Sequence, residues 1–240
     1  MSKQDEIDYV KNTGGLDRVW LNEKPFRGGN PAEAARLLRD FAAVIELLNL
    51  PEGARVLDVG CGPGWTSAFL ARMGYVVTGF DLAPDMITLA QKRAAREGVS
   101  ALCTFRVADS EQFDFPSEFD AALVYDTLHH VQKEDAVLQN CFRALKPGGK
   151  IVLAEPGFLH GKRAVGVTAE LGVTERGFDP RALKKVLAQC GFYDIQHFVP
   201  TYRAFMVSPF AALQTALYDL AYYFALANTH LQVWLVASKK

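Results

Sequence analysis

The chain has 240 residues, half of them hydrophobic, with a formal net charge of -1 and an isoelectric point near 6.5. That is enough chain to bury one full α/β core, and too apolar a composition for an intrinsically disordered one. The near-neutral balance, with no run of Lys or Arg longer than two, excludes a broad electrostatic footprint for nucleic acid, so a small-molecule partner is expected.

Residues 1–29 read as an arm or lid. They are polar and broken at Gly14-Gly15 and Gly28-Gly29, with Tyr9, Trp20 and Phe26 as apolar anchors and Lys24 and Arg27 as cations placed to close over a ligand. The opening Met-Ser-Lys-Gln-Asp-Glu carries no apolar signal core, and Cys61, Cys103, Cys141 and Cys190 lack metal-type spacing, which together predict a reduced, cytoplasmic setting. The main domain is expected over 30–240. Asn30-Pro31-Ala32-Glu33 supplies an N-cap, a proline at the first helical position and an acid in the first turn, and Leu37, Leu38, Phe41, Val44, Ile45 and Leu48 follow at helical spacing until Pro51. Strand 55–59, helix 65–73, strand 76–80, helix 84–97, strands 102–107 and 119–125, helix 131–145 and strand 150–155 come next. Such alternation predicts an α/β fold with a parallel, doubly wound sheet.

The last third departs from simple winding. Pro180 to Cys190 reads as a helix ended by Gly191, Phe192 to Val199 as a strand, and His230 to Ala237 as a final strand, with 156–179 and 200–229 as substrate-side insertions. Residues 204–228 are mostly apolar and aromatic. Pro209, Gln214 and Asp219 interrupt them, and a central acid costs about 2.5–3.5 kcal/mol on insertion, so no stable membrane span is expected. A helix that completes the core, a homodimer interface, and a wall of the acceptor pocket are the readings left open.

The most informative stretch is Val56-Leu57-Asp58-Val59-Gly60-Cys61-Gly62-Pro63-Gly64, a buried strand that opens into a helix through a turn with almost no side chains. A ligand can approach such backbone closely. Asp58 argues against a pyrophosphate, which a carboxylate would repel, and suits a cationic ligand. Asp81 stands at the carboxyl end of the second strand, where an acid accepts from ribose hydroxyls, and Leu82 and Met86 offer an apolar wall beside it. The spacing Asp58-x-Gly60-x-Gly62-x-Gly64 resembles motif I of the class I S-adenosylmethionine-dependent methyltransferases. The resemblance covers about 50–155 by motifs and 180–238 by topology. It implies a Rossmann-like seven-stranded sheet whose antiparallel last strand lies between its two predecessors. It also implies S-adenosyl-L-methionine as donor and S-adenosyl-L-homocysteine as product. The turn, Cys61 included, would underlie the amino-acid end, with Asp58 helping to hold its ammonium. Asp109 would accept from the adenine amino group and the amide beside it, at Ser110, would read a ring nitrogen. Phe105, Phe113 and Phe115 are candidates for stacking on adenine or for the core.

Tyr125, the last residue of the fourth strand, belongs with the cofactor wall, and the methyl is expected to point at the turn that follows. Asp126, His129 and His130 stand at i, i+3 and i+4, so a helical turn beginning at Asp126 would place all three on one face. Three readings are open there: a histidine general base oriented by an acid, ligands for a divalent metal, which is not favoured, or packing alone. The metal reading rests on similarity to a Glu-x-x-Glu-His pattern in some quinone-biosynthesis O-methyltransferases, from which this chain departs at His129. Glu155 and His160 close the list as acceptor-site candidates. After the fourth strand the chain has Tyr125-Asp126-Thr127-Leu128 where nucleobase N-methyltransferases carry Asn/Asp-Pro-Pro-Tyr/Phe, so a hydroxyl on a small acceptor is expected. The rival readings are a small-amine N-methyltransferase, a nicotinamide-dependent oxidoreductase, whose turn would read Gly-x-Gly-x-x-Gly, and a cofactor-binding module without catalysis.

Overall fold

A computed structural model describes residues 3–12, 19–26, 31–160, 175–199, 209–229 and 232–240. Seven strands form one sheet: β1 (Arg55–Val59), β2 (Val76–Asp81), β3 (Cys103–Val107), β4 (Phe119–Tyr125), β5 (Leu145–Pro156), β6 (Tyr193–Phe198) and β7 (Gln232–Ser238). Their order is β3-β2-β1-β4-β5-β7-β6. β1 to β5 pair in parallel, and β7 runs antiparallel to both β5 and β6. This is the Rossmann-like arrangement expected from the sequence.

The helices are α1 (Lys3–Asn12), α2 (Val19–Glu23), α3 (Pro31–Leu48), α4 (Trp65–Arg72), α5 (Pro84–Arg96), α6 (Glu134–Ala144), α7 (Pro180–Gln189) and α8 (Pro209–Thr229). Strand residues alternate between two cores, which is why β1 reads as a nearly continuous apolar run. Leu57, Val59, Ala122, Val124, Ile151 and Leu153 face α6 and α7 through Leu138, Leu183 and Leu187. Val56, Ala121, Leu123, Val152 and Trp234 face α3 and α4 through Leu37, Val44, Trp65 and Leu70. Phe113 and Phe115 pack on Phe80 and Phe119 in the first core and Phe105 against the second, so stacking on adenine is not where the structure puts these rings.

Helix α8 corrects one expectation. Phe210, Leu213, Leu217, Leu220 and Phe224 are between 60% and 89% exposed, so this helix does not complete the core, and none of its described residues lines the cavity below. No helix among the described residues is long and apolar enough to cross a membrane.

Candidate active site

The strand order reverses between β1 and β4, and the crevice outside their carboxyl ends is where a doubly wound sheet binds its ligand. A cavity of about 250 Å³ lies there, floored by Gly60, Cys61 and Gly62, with Asp81, Leu82, Met86, Asp109, Ser110, Tyr125, Asp126 and His130 on its wall. Lys3 and Ile7 of α1, Leu21 of α2 and Lys24 lie across it.

The glycine turn is shaped by what touches it. Gly60 has φ +65°, and a Cβ there would stand 2.2 Å from Cγ2 of Thr127, whose hydroxyl lies within hydrogen-bond distance of the Tyr125, Val59 and Gly60 carbonyls. Gly62, at φ +51°, has nothing within 4 Å of that position, so its free face belongs to the cavity. Gly64 instead packs against Ala90 of α5 and is not on the wall. Asp81 ties the turn to β2: its carboxylate accepts from the Gly62 amide at 3.0 Å and the Ala83 amide at 2.9 Å. Burial pushes its pKa up, against those two bonds.

Asp58 is placed differently from the sequence expectation. It is buried and off the wall, and its Oδ2 accepts from Thr66 Oγ1 at 2.7 Å and Ser67 Oγ at 2.5 Å, joining β1 to the first turn of α4. Burial pushes its carboxyl up to about 6, while the Ser67 and Thr66 hydroxyls pull the other way. The carboxylate thus braces the turn from beneath.

Asp109 is on the wall, where it pairs with Lys3 and accepts from the Glu111 amide at 2.9 Å; Lys3 also lies 3.2 Å from Glu111. Tyr125 donates its hydroxyl to Asp40 at 2.9 Å, and Asp40 also pairs with Arg36 at 2.7 Å. Trp20 packs against the Leu21, Ala83, Met86 and Leu89 cluster, whereas Phe26 is exposed. Arg27 and the Tyr9 side chain lie outside the described residues.

The turn after β4 also differs from expectation. Asp126 takes φ +55°, so no helical turn starts there, and a short 3-10 turn spans Leu128–His130 instead. Glu155, fully covered at the end of β5, explains the shape. Its Oε1 accepts from the Thr127 and Leu128 amides at 2.9 and 2.7 Å, and its Oε2 takes the His129 Nδ1 proton at 2.9 Å. Glu155 and His129 are therefore buried together away from the cavity, and His130 alone of the two histidines lines it. Burial opposes charge on His129, but the hydrogen bond to Glu155 and the charges of Glu155, Asp126 and Glu175 outweigh it and push the imidazole up to about 9. His160 is also off the wall, with Nε2 at 2.6 Å from Glu175 Oε2.

Residues 56–149 match the family described as methyltransferase domain. Residues 56–149 form the core of a methyltransferase domain. A ubiquinone biosynthesis O-methyltransferase of Xanthomonas axonopodis pv. citri (strain 306) is 37% identical over 134 residues, 55% of this chain and 52% of that protein. A phosphoethanolamine N-methyltransferase 1 of Arabidopsis thaliana is 33% identical over 156 residues, 63% of this chain and 31% of that protein. The chain thus spans about half the length of the first of these relatives and a third of the second. Among solved structures, Haemonchus contortus phosphoethanolamine N-methyltransferase 2 in complex with S-adenosyl-L-methionine shares the fold at a TM-score of 0.69 and 21% identity, over 100% of this chain and 60% of that one. In this methyltransferase domain, sequence reasoning missed Lys3, Leu21, Thr127 and Glu111 on the wall. Thr127 had a signal, since a glycine packed this closely needs a partner residue at the neighbouring strand end.

Proposed function

We propose that the methyltransferase domain binds S-adenosyl-L-methionine in this cavity and transfers its methyl group to a hydroxyl of a small-molecule acceptor. Adenosine lies between Asp81 and Asp109, with Leu82 and Met86 against the ring and the methionine end over Gly60 to Gly62. The observation that carries the reading is the wall itself: two carboxylates at neighbouring strand ends, open glycine backbone beside them at the end of β1, and His130 beyond β4. The acceptor oxygen attacks the methyl carbon, the carbon–sulfur bond breaks with its electron pair going to sulfur, and the hydroxyl proton passes to His130. S-adenosyl-L-homocysteine remains. Positioning of the nucleophile about 3–3.5 Å from the methyl is the larger contribution, and the base adds roughly 10²- to 10⁴-fold.

The arm acts as a lid in this reading. A cavity of about 250 Å³ is below the roughly 300–1,000 Å³ common for ligand sites, so α1 and α2 must yield for cofactor and acceptor to enter together. Asp126 and Glu111 on the wall favour one second reading, N-methylation of a small amine, because two acids there suit an ammonium. Three measurements test the proposal. S-adenosyl-L-homocysteine raises the melting temperature and NAD does not; stabilisation by NAD alone refutes it. His130→Ala lowers kcat by about 10²-fold or more with cofactor affinity kept, whereas near-normal turnover refutes the base role. With a methyl-¹³C donor, the product's carbon shift separates an O-methyl from an N-methyl.

A further inference from the structure

Behind the cavity, the turn after β4 and the chain after β5 bring His129, His160 and Glu175 together, and the ligand-type atoms of all three lie within 4.8 Å of one another. His129 Nε2 stands 3.7 Å and His160 Nε2 2.6 Å from Glu175 Oε2. Donors about 2.0–2.1 Å from a tetrahedral zinc ion stand ~3.3 Å apart, so the three are within small side-chain adjustments of closing on one ion.

We infer that His129, His160 and Glu175 form a binding site for one divalent transition-metal ion of the zinc class, which fastens the segments around 160 and 175 to the turn carrying His130. Its ligands differ from the Asp126, His129 and His130 set considered from the sequence, and it does not depend on the methyl-transfer reading.

Three observations beyond proximity support the site. First, Glu155 holds His129 Nδ1 at 2.9 Å, which leaves Nε2 directed at Glu175; a carboxylate on the far nitrogen is the usual support of a metal-bound imidazole. Second, the ligands hang from backbone that is already fastened. The Arg176 amide donates to the His129 carbonyl at 3.4 Å, the Phe178 amide to the Pro156 carbonyl at 3.1 Å, and the His160 amide to the Gly157 carbonyl at 2.9 Å. A Cβ on Gly177 would stand 2.1 Å from the Gly157 carbonyl oxygen, so the two segments are in contact. Third, the carboxylates around the group suit a divalent cation in place of an imidazole proton. Asp126 Oδ1 lies 3.9 Å from His129 Nε2, placing three carboxylates around this group, while the nearby Arg176 guanidinium is turned to Glu134 at 2.7 Å. Two imidazoles and a carboxylate suit zinc and cobalt(II).

The test uses the full chain stripped with a chelator. Equilibrium dialysis against Zn²⁺ is expected to give one ion per chain, and Co²⁺ to give visible d–d absorption without an intense thiolate charge-transfer band. His160→Ala and Glu175→Gln, at partly exposed positions that tolerate change, each weaken binding by more than 10-fold, and Glu155→Gln by about 10- to 100-fold through loss of the supporting bond. Absence of saturable Zn²⁺ binding, a thiolate band pointing to the cysteines, or unchanged affinity in both His160→Ala and Glu175→Gln overturns the assignment. Proton-shared histidines alone give the first of these results.

Discussion

Asp58→Asn separates a carboxylate that braces the turn from one that holds the cofactor's ammonium. The side chain keeps its shape, and the Thr66 and Ser67 hydroxyls still donate to an oxygen. What disappears is the buried charge. The folded carboxyl, near 6, binds its proton about two units more tightly than the ordinary value of 3.8. Its contribution to stability is therefore fully present below the ordinary value and is lost as pH rises through about 6. At neutral pH the ionised group costs ~3 kcal/mol, and near pH 4.5 only ~1 kcal/mol, so the gap between variant and wild type grows by ~2 kcal/mol over that window. Any constant effect of the new amide cancels in this difference. Urea unfolding followed by the fluorescence of buried Trp65 and Trp234 measures it, and the gap corresponds to a relative melting shift of ~4–8 °C for a chain of this size. An equal difference at both pH values refutes the assignment of a raised, buried carboxyl. On the ligand side, a brace predicts that S-adenosyl-L-methionine and adenosine lose affinity alike. A loss confined to the ligand bearing the ammonium would put Asp58 in direct contact and overturn the geometry described above.

The glycine turn offers a paired comparison: Gly60→Ala meets Thr127 and costs ~2–4 kcal/mol in melting experiments from strain plus overpacking, while Gly62→Ala costs ~1–2 kcal/mol yet loses S-adenosyl-L-homocysteine binding in calorimetry. Lys3→Ala frees Asp109 of its cation and is expected to tighten S-adenosyl-L-homocysteine by about 1.5- to 5-fold, the 0.2–1 kcal/mol of a partly exposed pair. Weaker binding would make Lys3 a ligand contact. His129→Ala, by contrast with His130→Ala, is expected to lower the melting temperature and to affect kcat only through the shape of the turn, because its ring is buried against Glu155.

The sheet, helices α3 to α8, and Asp81, Asp109 and His130 on the wall were legible because the strands that carry or precede those residues are strongly periodic and their carboxyl ends must meet at one crevice. Asp58 and Glu155 lie off the wall for one physical reason, whereas Asp126 does line the cavity and departs only in its positive φ, which starts no helical turn. A residue at a strand end faces the ligand only if the chain turns outward there, and spacing does not encode that turn. Asp58 shares the side of Val56 and so meets the α4 hydroxyls, and Glu155 shares the side of Leu153 and so lies beneath the 3-10 turn. Lys3 and Glu175 come from stretches without periodicity, where no pattern assigns a face. For helix α8 the core, a dimer interface and a pocket wall stayed open, because an apolar composition on all sides says that something covers a helix without saying what does.

These misreadings divide the site into two layers. Asp58 and Glu155 are buried carboxylates that receive hydrogen bonds from the turns above them, Thr66 and Ser67 for one, Thr127, Leu128 and His129 for the other. Asp81, Asp109 and His130 stand one layer out, on the cavity wall. A buried carboxylate whose hydrogen bonds run to its own chain holds the turn's shape, and its removal leaves those donors unpaired. Substitutions in the inner layer should therefore shift stability and its pH dependence first, with ligand affinity following in proportion. Substitutions of Asp109 and His130 should change affinity or kcat at nearly constant melting temperature, whereas Asp81, which lines the wall and also ties the turn to β2 through the Gly62 and Ala83 amides, should change both. Plotting loss of S-adenosyl-L-homocysteine affinity against melting shift should separate the Asp58 and Glu155 variants from those at Asp109 and His130, with Asp81 between them, and a single line through all of them would show that the glycine turn and its ligand contacts are one cooperative unit.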